Sequence, residues 1–197
     1  MKEKIIEKAA DLFLKVGFKS ITMDDIASAM GISKKTLYKY FANKEVLVDE
    51  TTIGFQLKIN AKIEDIISKE YNPVAELFEI KKSIQRFFEV TDTSPLYQLK
   101  KHYPETHEKL MSCERDECHF FFRQNIERGI EMGLYRKETD IDTSTLFYYT
   151  LMMHINENTV LEKDIHKLDF ALLEYHTRAI ATPAGIDELK KQLSALT

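Results

Sequence analysis

Ile5, Ile6, Ala9, Leu12, Phe13 and Val16 recur three and four residues apart, with Lys and Glu between them, and Gly17 follows. That spacing lays the apolar side chains along one stripe of a helix over residues 3–16, ended by a C-terminal glycine. The pattern then shortens. Ile26, Ala27 and Met30 predict a brief second helix behind Thr22 and Asp25, which stand at the first and fourth positions of a capping box, although Glu or Gln is the usual fourth residue. Gly31 ends it, Ile32 buries the turn, and Ser33 caps a third short helix through Phe41. Asn43 or a neighbour opens a longer helix from about Lys44 into the sixties.

Asn72-Pro73 breaks the pattern, as the end of that helix or a loop just after it. Helical periodicity resumes over residues 74–90, and Thr91-Asp92-Thr93-Ser94-Pro95 is the clearest loop in the chain. A short helix over 96–101 precedes a long one opened by Pro104 and running to about 132. Further helices cover about 142–161 and 166–181. Thr182-Pro183-Ala184-Gly185 breaks the last of these, leaving 186–196 for a short terminal helix. The fold class expected is all-α, with nine or ten helices. A small N-terminal module, residues 1–47, precedes a larger helical one, residues 48–197.

Composition agrees with this picture: only 6 Gly and 4 Pro interrupt 197 residues. The net charge of −4 argues against a nucleic-acid partner until it is divided along the chain: residues 1–50 carry +1 and the remainder −5. The acidic bulk therefore belongs to the larger module. No apolar run reaches the roughly 18 residues of a membrane helix, and the charged opening Met1-Lys-Glu-Lys does not read as a secretory signal. A cytoplasmic protein with no membrane partner is expected. Cys113 and Cys118 lie five apart in a helical segment, about 8–9 Å between Cα atoms and about 140° around the axis. That geometry predicts reduced thiols and no disulfide.

The segment from Thr22 to Lys44 carries the chemistry. Two short helices joined by a glycine turn form a helix-turn-helix, whose second helix lies in the DNA major groove. Leu37 and Phe41, four apart, anchor that helix. Its other face offers Lys34, Lys35, Thr36, Tyr38, Lys39 and Tyr40, and the stretch from Ser33 to Lys44 holds four lysines and no acid. Singly, these lysines read as a solvated face and the tyrosines as packing. Jointly, behind a glycine turn, they read as a DNA-contacting surface.

The same residues resemble the DNA-binding domain of the tetracycline-repressor (TetR) family. The matching pieces are Ala9-x-x-Leu12-Phe13 with Gly17-Phe18, Thr22-x-x-x-Ile26-Ala27, Gly31-Ile-Ser, Thr36-Leu-Tyr-x-Tyr-Phe and Asn43-Lys44-Glu45-x-Leu47. They cover about residues 4–48. The resemblance implies a ligand-responsive transcriptional repressor that binds a palindromic operator as a homodimer and is released by a small lipophilic or amphipathic effector. It also implies that Thr22 caps its helix and contacts phosphate. Ser33 caps the recognition helix, Lys34 and Lys35 face base edges, and Thr36, Tyr38, Tyr40 and Lys44 hold phosphates, with Lys39 on the same DNA-facing side. Position 35 is often small in such proteins, so Lys35 must extend along the groove.

The larger module implied by the resemblance encloses the effector and makes the dimer. Aromatic and Met clusters suggest a pocket near Phe87, Met111, Phe121, Phe122, Tyr148 and Met152. Such stripes are also what a plain core looks like. The helices around 142–161 and 166–181 are apolar on two sides, and one stripe of each, with Tyr149, Met153, Phe170, Leu173, Thr177 and Ile180, is expected to meet a second copy. His102, His107, Cys113, Cys118 and His119 lack the spacing of a metal site, and no cofactor is expected. Nor does the chain show a phosphate-cradling Gly-rich loop, a G-x-S-x-G elbow or an H-E-x-x-H pair, so an enzyme is not expected. The alternative is a regulator-like helical module acting through a protein or ligand partner, or an activator.

Overall fold

A computed structural model describes residues 1–196, apart from the side chains of Cys113, Glu114 and Asp116. Among these residues the chain forms ten helices and no strand: α1 (Lys2–Val16), α2 (Met23–Ala29), α3 (Lys34–Tyr38), α4 (Lys44–Ile67), α5 (Pro73–Phe88), α6 (Pro95–His102), α7 (Pro104–Glu131), α8 (Ile141–Asn158), α9 (Glu162–Ile180) and α10 (Pro183–Ser194). No helix is long and apolar enough to cross a membrane among the described residues. The reading of Cys113 with Cys118 lies outside the described residues.

The helices begin where local chemistry lets them begin. Thr22, Ser33, Asn43, Asn72, Ser94, Asp140 and Thr182 each accept, through the side chain, a backbone N–H three residues on. All four prolines open a helix. A ring at that position removes an N–H that has no helical partner anyway and presets φ. Hence Asn72-Pro73 and Thr182-Pro183, expected as breaks, are starts: α5 begins at Pro73 and α10 at Pro183, earlier than its expected 186. Helix α9 also starts earlier than expected, at Glu162. There the chain is pinned by an antiparallel bridge between Thr93 and Leu161, with Ser94 N–H donating to Val160 O at 2.9 Å and Glu162 N–H to Asp92 O at 3.1 Å.

Two apolar cores form. The N-terminal one gathers Ile5, Ala9, Phe13, Phe18, Ile26, Leu37, Phe41, Leu47 and Val48. The larger gathers Val74, Leu77 and Phe78 of α5 with Phe122 and Ile126 of α7, Tyr135, Tyr148 of α8, Leu172, Leu173 and Ile180 of α9, and Leu189 of α10. The boundary expected between residues 47 and 48 falls inside α4, which passes it without a break. Leu99 of α6 also belongs to the N-terminal core. Beside it the Phe18 N–H donates to Gln98 Oε1 at 2.9 Å and the Tyr103 hydroxyl to Phe18 O at 3.4 Å. Gly17, at φ 99°, permits this docking, because a Cβ there would stand 2.8 Å from Gln98 Oε1. A second tie joins α4 to α7, where Asp49 accepts from the Thr106 hydroxyl and, at 2.6 Å, from Lys109 Nζ.

A buried polar knot holds α5 to α7. Glu76, fully enclosed, accepts from Asn125 Nδ2 at 2.9 Å and Arg128 at 2.6 Å, while Asn125 also donates to Pro73 O at 3.0 Å. Nearby, Gly129 lets the Tyr135 ring lie flat on α7, since a Cβ there would meet Cδ2 at 2.0 Å. In an ordinary helix Gly→Ala stabilises. Here the sign reverses: Gly129→Ala is expected to lower folding stability by about 1–3 kcal/mol, seen as a lower urea midpoint at unchanged slope.

Candidate nucleic-acid interface

The helix-turn-helix is built from its caps outward. Thr22 and Asp25 close a complete capping box: Thr22 N–H donates to Asp25 Oδ2 at 2.9 Å and Asp25 N–H to Thr22 Oγ1 at 3.2 Å. The Thr22 hydroxyl adds a 2.7 Å bond to Asp25 Oδ2. These hydrogen bonds from Thr22, above all, hold the Asp25 carboxyl below the usual aspartate range. Aspartate thus fills the place usually given to glutamate. At the next turn Ser33 Oγ accepts the Thr36 N–H at 3.1 Å and lies 2.8 Å from Thr36 Oγ1.

Helix α3 is held from beneath by Leu37 and Phe41, both fully buried. It ends at Tyr38, three residues short of the expected Phe41. The Lys39 and Tyr40 amides bond three residues back, to Thr36 and Leu37, tightening the last turn before Asn43 opens α4. Around this support Thr22, Ser33, Lys34, Lys35, Lys39 and both tyrosines face outward, with Tyr38 42% and Tyr40 41% exposed. Thr36 is half-buried. Large aromatic surface left open beside cations is the kind of feature that marks a contact face.

Two of the predicted lysines are engaged. Lys34 Nζ sits 2.8 and 2.9 Å from the carboxylate oxygens of Asp24, so the segment free of acids in sequence has one delivered from α2. That hydrogen bond raises the Lys34 ammonium above its ordinary range. Lys44 is half-buried, donates to Lys19 O at 3.3 Å and lies 5.7 Å over the Tyr103 ring. Lys35 and Lys39 stand open on the same short segment. The Asp24 contact has no trace in the spacing, because the two residues are ten apart on different helices.

The larger module shows where two sets of expected residues lie. Of the six side chains proposed to line a pocket, Phe122 and Tyr148 are packed core, their rings 4.5 Å apart edge to face. Phe121 and Met152 pack against that core, Met111 is buried outside it, and Phe87 borders a shallow surface groove with Lys58, Ala61, Lys62 and Asp65. The second set concerns the face of α8 and α9 expected to meet another copy. Leu173, Thr177 and Ile180 are enclosed by their own chain, Tyr149 is buried, and Phe170 and Met153 are half-buried. The outward side shows Leu146, Phe147 and Leu151 on α8 with Leu168, Tyr175 and Ala179 on α9. The inward face of α9 runs between the two apolar stripes and includes Asp169 and His176, polar residues that disguised it.

Among the described residues no group of three or more His, Cys, Asp or Glu side chains is placed to hold a metal ion. His107 faces Glu157 at 3.2 Å and His119 packs edge-on against Tyr149. The arrangement at α2 and α3 is suited to holding a polyanion by cations and hydroxyls, with no nucleophile–base pair in it. Replacing Thr22 with Ala is expected to cost about 1 kcal/mol of folding stability. The Asp25 carboxyl is held below its unfolded value, so its contribution is present at neutral pH and lost as pH falls through the folded value. The stability gap between the wild-type chain and Asp25→Asn should therefore close in acid, as followed by thermal unfolding across pH.

Comparison with known proteins places this geometry in context. The family model described as bacterial regulatory proteins, tetR family, matches residues 5–51. The HTH-type transcriptional repressor KstR2 of Mycobacterium tuberculosis is 38% identical over 74 residues, 38% of this chain, and the match spans only 37% of that relative. KstR2 of Rhodococcus jostii is 28% identical over 152 residues, 73% of this chain and 72% of the relative. Among solved structures, a transcriptional regulator from Cytophaga hutchinsonii superposes with a TM-score of 0.74 over 91% of this chain and 98% of its own, at 20% identity.

Proposed function

We propose that this chain, whose residues 5–51 match the family of bacterial regulatory proteins, tetR family, is a transcriptional repressor that binds an inverted-repeat operator as a homodimer and is released by a small molecule. The observation that carries this reading is the open cationic and aromatic face of α3, supported from beneath by Leu37 and Phe41. In the proposed complex Lys35 reaches base edges, while Ser33, Thr36, Tyr38, Lys39 and Tyr40 hold phosphates and fix the register. Thr22 adds a phosphate contact from the first turn of α2. Lys34 joins them once phosphate competes with Asp24. Lys44 has the part of seating the module, through Lys19 O and the Tyr103 ring.

Two such faces must stand about one helical turn apart, roughly 34–36 Å, to read both half-sites. The outward apolar side of α8 and α9, with Leu146, Phe147, Leu151, Leu168 and Tyr175, is the surface we assign to the partner copy. Its exposure in a single chain favours this: Phe147 is 63% and Tyr175 68% exposed. An effector acts by preferring one separation of the two faces over another. The contacts of α6 with Phe18 give the larger module a grip on the smaller one. Such a protein works in the cytoplasm, beside the DNA it reads.

Selection from a random duplex pool is expected to return an inverted repeat. Lys35→Ala should relax preference at one base position, costing about 1–3 kcal/mol there, whereas Lys39→Ala should weaken all duplexes alike and flatten the log–log salt slope by about 0.9. Asp24→Asn, which frees Lys34, should strengthen binding to every duplex. Equal losses from Lys35→Ala and Lys39→Ala on all sequences would defeat this division. Sedimentation provides the dimer test: Tyr175→Asp should yield a folded monomer with sharply weakened operator binding, and a persistent dimer would remove the assigned face.

A further inference from the structure

Between α5, α8 and α9 lies a cavity of about 30 Å³, lined by Lys81, Ile84, Phe88, Asn156, Glu162 and Asp169, among others. Its walls are unusual for the interior of a helical module. Lys81 Nζ is bonded to Asp169 Oδ2 at 2.9 Å, with both side chains about nine-tenths buried, and Asn156 Nδ2 donates to Asp169 Oδ1 at 3.4 Å. That pair is self-contained. Glu162 is not: its side chain is 7% exposed, and its buried Oε2 has no hydrogen-bond partner. Its other oxygen stands 3.8 Å from His166 Nε2, too far for a hydrogen bond.

A buried carboxylate oxygen without a donor is costly, more so than an ordinary lost hydrogen bond. The groups facing Glu162 decide what would relieve it. From α5 come Lys81, already neutralised by Asp169, and the Gln85 amide. From α8 comes only the Asn156 amide. From α9 come Asp169 and His166, and burial lowers the His166 ring below its usual value, favouring its neutral form. With Glu162 ionised the walls sum to one negative charge. The apolar remainder, Ile84, Phe88, Ile165 and Phe170, would accept hydrocarbon.

We propose that this cavity is a binding site for an organic monocation, an ammonium group on a small apolar body, with the Glu162 carboxylate as its counter-ion. The volume matches about two water-sized groups, enough for the ammonium and its first carbon. Burial, and then Asp169, raise the Glu162 carboxyl to about 7. Below that pH the proton must leave for the cation to bind, so affinity falls about tenfold per pH unit, and above it affinity levels off. As the effector site this rests on the repressor reading, and the fold supplies a connection. The Asn156 carbonyl accepts the Ser94 hydroxyl at 3.1 Å, and the Glu162 amide is bonded to Asp92. Both fasten the segment leading into α6, whose Gln98 and Leu99 hold the N-terminal module.

The test uses the full chain with propylammonium chloride as probe, propanol and sodium propionate as controls, and amide NMR shifts as readout. Propylammonium should shift the amides around residues 81, 156, 162 and 169 saturably, about fivefold more weakly at pH 6 than at pH 7. The controls should leave them unmoved. Glu162→Gln should weaken the probe at least tenfold while Glu162→Asp retains part of the binding, with both variants checked for an intact unfolding transition. No saturable shift, equal shifts from propanol, or indifference to Glu162→Gln would overturn the site, leaving a cavity that holds water only. Operator binding is measured separately. Loss of DNA binding without the probe refutes the repressor reading alone, and probe binding that leaves DNA affinity unchanged removes the regulatory role while the site stands.

Discussion

The Phe18 amide is satisfied from the other module. It emerges from Gly17 just past the end of α1, and the acceptor it finds is Gln98 of α6, a residue eighty positions away. A buried backbone N–H left unpaired would cost a few kcal/mol, so the N-terminal module is complete only with α6 seated. Leu99 adds apolar area to the same seat, where the Phe13 and Phe18 rings stack and Tyr103 tilts against Phe18. The position of α6 is therefore part of the definition of the DNA-facing unit. In turn α6 is fixed by Ser94 and the Thr93–Leu161 bridge to the junction of α8 and α9. One run of short polar contacts thus joins the interior of the larger module to the end of α1.

The electrostatics follow from an acidic chain presenting a local cationic face. Most of its ion pairs lie on the surface and contribute little each. Those that matter are placed where water is scarce: Glu76 with Arg128 and Asn125 between α5 and α7, and Lys81 with Asp169 between α5 and α9. Removing one partner from either would strand a charge in the interior, a penalty of several kcal/mol. Such pairs fix which helix faces which, in a module whose apolar stripes alone leave that choice open.

Local chemistry was the legible part. Helix caps at Thr22, Ser33 and Asn43, the stops at Gly17, Gly31 and Gly133, and the support of Leu37 and Phe41 all depend on neighbours within a few residues, so spacing reveals them. Prolines were harder: the same ring breaks a preceding helix and starts the next, and only the second role shows at Pro73 and Pro183. Tertiary choices were hidden. In α9 both sides are apolar, and the inward face contains Asp169 and His176, so hydrophobicity alone does not mark which stripe turns inward. Aromatic clusters at Phe122 and Tyr148 became core. The cavity walls are instead Lys81, Glu162 and Asp169, residues that a pattern of polar and apolar letters assigns to the surface.

Helix α4 runs without interruption out of the N-terminal core, where Leu47 and Val48 lie, and its far end leads to α5. Twenty-four residues at 1.5 Å rise make a rod about 36 Å long. Tilting such a rod by about 5° about one end carries the other end roughly 3 Å, close to the spacing of one base pair along a duplex. A displacement too small to unpack any side chain at the α5 end could thus put two recognition helices out of step with their half-sites.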